Sequence, residues 1–139
     1  MSRPTLVLQK RLLPMIEGKL RAGFPSPADD FAVKELDLMD LLVKRPLATF
    51  FMQIRGTSME GVGIFDGSIV TVDRSMKPEH GCIVVAEVDG QFTCKLLHKR
   101  AGVIKLQAAN PEFPDITFQD GQQLTICGVV TSAIKRFTN

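Results

Sequence analysis

The chain has 139 residues, 45% of them apolar and 23% charged, which excludes wholesale disorder and suits one ordinary domain with a real core. A formal net charge of +2, from 17 basic and 15 acidic residues interspersed along the chain, gives no ground for DNA binding by massed phosphate neutralisation. Two histidines, His80 and His98, and three cysteines without a CxxC spacing argue against a zinc site, and no cofactor is expected.

Pro4, Pro14, Gly18, Gly23, Pro25 and Pro27 interrupt residues 1–30, while Leu8, Leu12, Ile16 and Leu20 recur every four positions like one side of a frayed helix. This stretch reads as an arm that docks on a surface, with a disordered leader as the alternative. Lys10-Arg11 before Leu12-Leu13-Pro14-Met15-Ile16 imitates an export signal, but Glu17 and Lys19 cut the apolar run short. No later run approaches the ~20 apolar residues of a membrane span, so the protein is expected in the cytoplasm.

A short helix or turn is expected over 37–42, ended by Pro46, and from residue 50 the pattern is β. Strands are expected over 50–55, 68–73, 82–88, 91–97, 103–107, 116–118 and 124–137. Asp89-Gly90, between the third and fourth of these, suits a two-residue type I′ hairpin turn. Successive strands without long helices between them predict a mainly β fold, a compact antiparallel barrel-like sheet. The hydrophobic last strand, 126–134, offers an edge for pairing with a second copy. Cys82, Cys94 and Cys127 each sit inside an apolar run and read as reduced core residues.

Two residues carry chemistry. Ser58 lies in the turn Gly56-Thr57-Ser58-Met59-Glu60-Gly61, where glycines allow a tight turn and a close substrate approach. Alone, such a serine is more often a turn or cap residue than a nucleophile. Lys95 follows 37 positions later in Phe92-Thr93-Cys94-Lys95-Leu96-Leu97, a strand with neither face plainly polar. A serine hydroxyl needs a base, and a lysine amine serves as one only when burial makes it neutral. Together the two residues suggest a Ser/Lys catalytic dyad. The alternative for Lys95 is an edge-strand lysine whose ammonium reaches water.

Gly-Thr-Ser-Met at 56–59, with Asp66-Gly67, Asp73, His80-Gly81, Val88-Asp89-Gly90 and Phe92-Thr93-x-Lys95, resembles the self-cleaving domain of the LexA/UmuD family, with UmuD-type members the nearer likeness. The likeness runs from about Gly23 to the final strand. It implies a LexA/signal-peptidase-type catalytic fold over 31–139, behind a flexible N-terminal arm, 1–30, that contains the cleavage site. By the same resemblance Ser58 is the nucleophile, Lys95 the neutral base, and the backbone N–H groups of Thr57 and Ser58 the oxyanion hole. Family members cut themselves between a small residue and glycine, and Ala22-Gly23 fits that pattern.

The implied activity is that of a self-cleaving serine endopeptidase of the SOS DNA-damage response, stimulated by a RecA filament on single-stranded DNA. The implied partners of the cut form are a second copy, as a homodimer, and a UmuC-like Y-family polymerase for translesion synthesis. Three other readings are weighed beside it. A LexA-like repressor would place a helix-turn-helix domain before the cleavage site, whereas 22 residues precede Gly23 here. A signal peptidase would need a membrane anchor. A polymerase-binding module with an idle dyad would not cut itself. Glu60 is a departure from the family pattern, since a carboxylate near Lys95 would favour the charged amine.

Overall fold

The computed structural model describes residues 11–18, 22, 23, 25, 27, 28, 31–119 and 121–138. The contacts of the chain fall into two compact units, 1–44 and 45–139. Every buried apolar residue described lies between Met59 and Val130, so the second unit alone has a hydrophobic core.

In the first unit β1 (Leu12–Glu17) pairs antiparallel with β2 (Ala32–Asp37), from Leu12 opposite Asp37 to Glu17 opposite Ala32. Neither strand was expected. Leu12 and Ile16 lie in β1 rather than on a helix, and Leu8 and Leu20 lie outside the described residues. The physical reason is that residues four apart share a face in a strand as well as in a helix, so the spacing does not discriminate. Pro14, unfavourable inside a helix, is tolerated in this two-stranded edge. The helix expected at 37–42 is α1 (Leu38–Leu42), capped by Asp37, whose Oδ1 accepts from the Met39 N–H at 2.9 Å.

The second unit is one six-stranded antiparallel sheet built from β3 (Thr49–Gln53), β4 (Ile69–Asp73), β5 (Ile83–Val88), β6 (Gln91–Arg100), β7 (Val103–Gln107) and β8 (Leu124–Ile134). The strand order is β3-β4-β8-β5-β6-β7, so the mainly β, antiparallel expectation holds. Among the described residues no pairing joins the outer strands β3 and β7 into a closed barrel. β8 lies inside the strand order, pairing with β4 through 129–134 and with β5 through 124–129, so that among the described residues only Val129 is paired on both sides and the rest of 126–134 keeps one side without a strand partner. Its length explains this: β8 reaches far enough to template β4 with one part and β5 with another. Residues 116–118 form no strand; Ile116 makes a single bridge to Leu106.

Core residues occupy both faces of the sheet. One cluster contains Met59, Val70, Val72, Val85, Cys94 and Val130, and the other Val84, Ala86, Leu97, Leu106 and Val129. Neighbours such as Val84 and Val85 thus face different clusters, which accounts for unbroken apolar runs instead of strict alternation. Pairing slips between Thr71 and Val72 and between Val85 and Ala86, both against β8. Such bulges bend a strand and help a sheet cover its own core.

The β5–β6 connection has the predicted form, with Asp89 at φ 49 and Gly90 at φ 82, the pair of positive values a type I′ turn needs. It sets the register that places Lys95 opposite Val84 and Thr93 opposite Ala86. Among the described residues no helix is long and apolar enough to cross a membrane.

Candidate active site

The serine turn is fixed from several directions. β3 carries the chain to it, and Gly56, at φ 97, turns the backbone while its N–H donates to Asp66 Oδ1 at 2.8 Å. Met59, next to Ser58, is 1% exposed and belongs to the core, so the nucleophile candidate sits one residue from an apolar anchor. A remote segment closes the other side. The Ala109 N–H donates to the Ser58 carbonyl at 2.8 Å, the Gly61 N–H donates to the Ala109 carbonyl at 2.7 Å, and Asn110 Nδ2 donates to the Thr57 carbonyl at 2.9 Å.

Gly61 is required by this close approach, because a Cβ there would stand 2.4 Å from the Ala109 carbonyl oxygen. Gly61→Ala is expected to push the two segments apart, lowering stability by about 1–3 kcal/mol as overpacking does. Thermal melts should show the loss as a lower midpoint. A variant that melts like the parent would refute this placement.

Lys95 comes from β6. Its Nζ lies 3.0 Å from Ser58 Oγ, 2.9 Å from Thr93 Oγ1 and 3.1 Å from the Cys94 carbonyl oxygen, donating to each as an ammonium. A neutral amine has two N–H groups and one lone pair. With Thr93 Oγ1 and the Cys94 carbonyl accepting the two hydrogens, the lone pair is left for the Ser58 O–H. Thr93 and Lys95 project to the same side of β6 by strand alternation, which is why Thr93 can serve in this way.

Burial is the main cause that lowers the Lys95 pKa below the ordinary lysine value, and the Cys94 sulfur works in the opposite sense. Cys94 itself is pushed up to about 11, chiefly by burial, so its thiol stays protonated at neutral pH. Glu60 is exposed and does not line the cleft.

Ser58 and Lys95 open into a cleft of about 370 Å³, with Met52, Ile54 and Val85 giving it apolar walls and Arg55 a cation. The backbone N–H groups of Thr57 and Ser58 donate to no acceptor among the described residues, leaving both open to a ligand oxygen. Ala22 and Gly23 form an exposed turn in the first unit, with Gly23 at φ 94. His80 and His98 meet edge to face at 5.1 Å, and neither lines the cleft.

Sequence reasoning thus named the two residues that meet. It assigned no role to Thr93, Ala109, Asn110 or Arg55. Of these only Thr93 carried a signal, standing two positions before a strand lysine.

The family described as Peptidase S24-like matches residues 14–131. The protein ImpA of Salmonella typhimurium is 43% identical over 124 residues, covering 88% of this chain and 83% of that protein. MucA of Escherichia coli is 39% identical over 123 residues, covering 88% and 84%. The LexA repressor of Paracidovorax citrulli is 30% identical over 128 residues, covering 92% of this chain and 56% of the repressor.

Proposed function

This chain belongs to the peptidase S24-like family, a membership that implies a serine peptidase, and we propose that its substrate is its own Ala22-Gly23 bond. The observation that carries the reading is the 3.0 Å approach of Lys95 Nζ to Ser58 Oγ in a cleft that disfavours the charged amine. In the proposed reaction, neutral Lys95 takes the Ser58 proton as Oγ attacks the Ala22 carbonyl carbon. The oxyanion that forms accepts hydrogen bonds from the Thr57 and Ser58 N–H groups. The Lys95 ammonium then protonates the departing Gly23 amine, and water releases the acyl group from Ser58 in a second step. Alanine is small enough for a shallow pocket, and glycine lets an extended chain kink at the bond.

The LexA/UmuD resemblance extends the proposal to the SOS response. A RecA filament on single-stranded DNA would favour the docked arm, and the cut chain, as a cytoplasmic homodimer, would serve a UmuC-like Y-family polymerase. Promotion by a partner fits the energetics, because both the neutral lysine and the docked arm are costly states whose population a binding partner can raise.

The test is incubation of the purified chain across a range of alkaline pH, followed by mass analysis for a fragment beginning at Gly23. Self-cleavage should rise with pH and reach half its maximum below the ordinary lysine value, since the lowered Lys95 pKa makes the neutral base available earlier. Absence of that fragment at every pH would leave a non-cleaving module as the better reading.

A further inference from the structure

The cleft has a second chemical property. Among the described residues no carboxylate lines it, Arg55 stands in it without an ion-pair partner, and the N–H groups of Ser58, which lines it, and of the adjacent Thr57 donate to no acceptor. When Lys95 is protonated, the cleft therefore has two cations beside apolar walls, with the free N–H groups of Ser58 and its neighbour Thr57 next to them. That combination suits a peptide's terminal carboxylate, which can accept several charge-assisted hydrogen bonds at once.

We propose that the cleft is a receptor for a C-terminal peptide carboxylate, held by Arg55, the Thr57 and Ser58 N–H groups and the Lys95 ammonium. The inference rests on the self-cleavage reading in one respect: hydrolysis at Ala22 would create such a carboxylate at the site. Its consequence is regulatory. A carboxylate bound beside Lys95 favours the charged amine, and by linkage protonation of Lys95 favours the bound carboxylate. The released N-terminal fragment would thus hold the dyad in its inactive protonation state until it leaves.

The groups that bear on Lys95 are few. Cys94 neighbours it on β6, Arg55 lines the same cleft, and the facing strand β5 presents Val84 and Val85, which do not titrate. Glu60 lies outside the cleft lining. Carboxylate affinity should accordingly weaken as pH rises through the lowered Lys95 pKa, with the Arg55 contribution remaining above it.

The experiment uses the full chain carrying Ser58→Ala, which cannot cut, and an acetylated peptide of residues 17–22 prepared as the free acid and as the C-terminal amide. Calorimetry at neutral pH should find the acid bound about tenfold tighter or more, as hydrogen bonds to a charged group require. In the alkaline range where Lys95 titrates, binding should take up protons, seen as a heat that varies with the ionisation enthalpy of the buffer. The preference should narrow at alkaline pH. Adding Arg55→Gln should reduce acid affinity several-fold and leave amide affinity unchanged.

Equal affinity for acid and amide, or no measurable binding of either, would overturn the proposal. An unchanged preference after Arg55→Gln would also overturn it as stated. An unrelated acetylated peptide acid ending in alanine separates the two readings. If it binds as tightly as the 17–22 acid, the receptor stands without support for the Ala22-Gly23 bond, while failure of self-cleavage is read independently on the parent chain.

Discussion

Replacing Ser58 with alanine is expected to stop self-cleavage at every pH, because no other group in the cleft can supply the attacking oxygen. Thr93 has a hydroxyl, but it serves as an acceptor for Lys95. Cys94 is held protonated and belongs to the core. Lys95→Ala should have a different signature. The serine remains, so residual cutting is expected, reduced roughly 10²–10⁴-fold by loss of the general base and without the alkaline rise that amine deprotonation produces. Time courses of fragment release across pH for the three proteins check both statements. Cutting by Ser58→Ala at the parental rate would sink the dyad, and a parental pH profile in Lys95→Ala would remove the lysine from it.

The second large effect concerns Met59. Its side chain is 1% exposed and packs in the cluster with Ile64, Val70, Val72 and Val85. Met59→Ala should cost about 2–5 kcal/mol through lost transfer energy and the cavity left behind. In a unit of this size that lowers Tm by roughly 10 °C or more. Activity should suffer as well, measured below the new Tm, because Met59 positions the backbone of Ser58. Met59→Leu, which nearly conserves volume, should recover most of both properties. A variant as stable as the parent would show that the methionine is not the anchor described here.

Much of the second unit was legible because its signals are local. The Asp89-Gly90 pair needs only two left-handed residues to declare a hairpin, and the hairpin carries Lys95 to its register. The strands on either side of the serine turn were legible from β-branched and aromatic runs bounded by glycine. The meeting of Ser58 and Lys95 was inferred from chemistry and resemblance, and the geometry brings them within hydrogen-bond distance. The S24-like match and the ImpA and MucA similarities bear out the family resemblance.

What escaped depends on tertiary pairing or on ambiguous periods. The β1–β2 hairpin was hidden because a spacing of four fits strand and helix alike. The central position of β8 was hidden because an apolar strand reads the same whether one or both of its edges are paired. The Ala101-Gly102 turn between β6 and β7 was not singled out, since alanine gives no warning of its φ of 52. Ala109 braces the serine turn from about fifty residues away through backbone groups that any residue type possesses, and Asn110 adds its side-chain amide, whose partner Thr57 nothing local in the sequence indicates. Gly61 was the one visible trace of that brace, and without the partner segment a glycine in a turn has many explanations.

The burial of Met59 beside an active-site candidate bears on how the protein comes into being. Many enzymes hang their nucleophile on a surface loop that can order late or open locally while the rest of the domain stays intact. Here the residue after the serine is part of the core, and the turn on either side of it is tied to Ala109, which donates to the Ser58 carbonyl and accepts from the Gly61 N–H. A folded intermediate with a finished core and an unassembled serine turn is therefore disfavoured. The core and the reactive geometry of the second unit are thus expected to form together during folding.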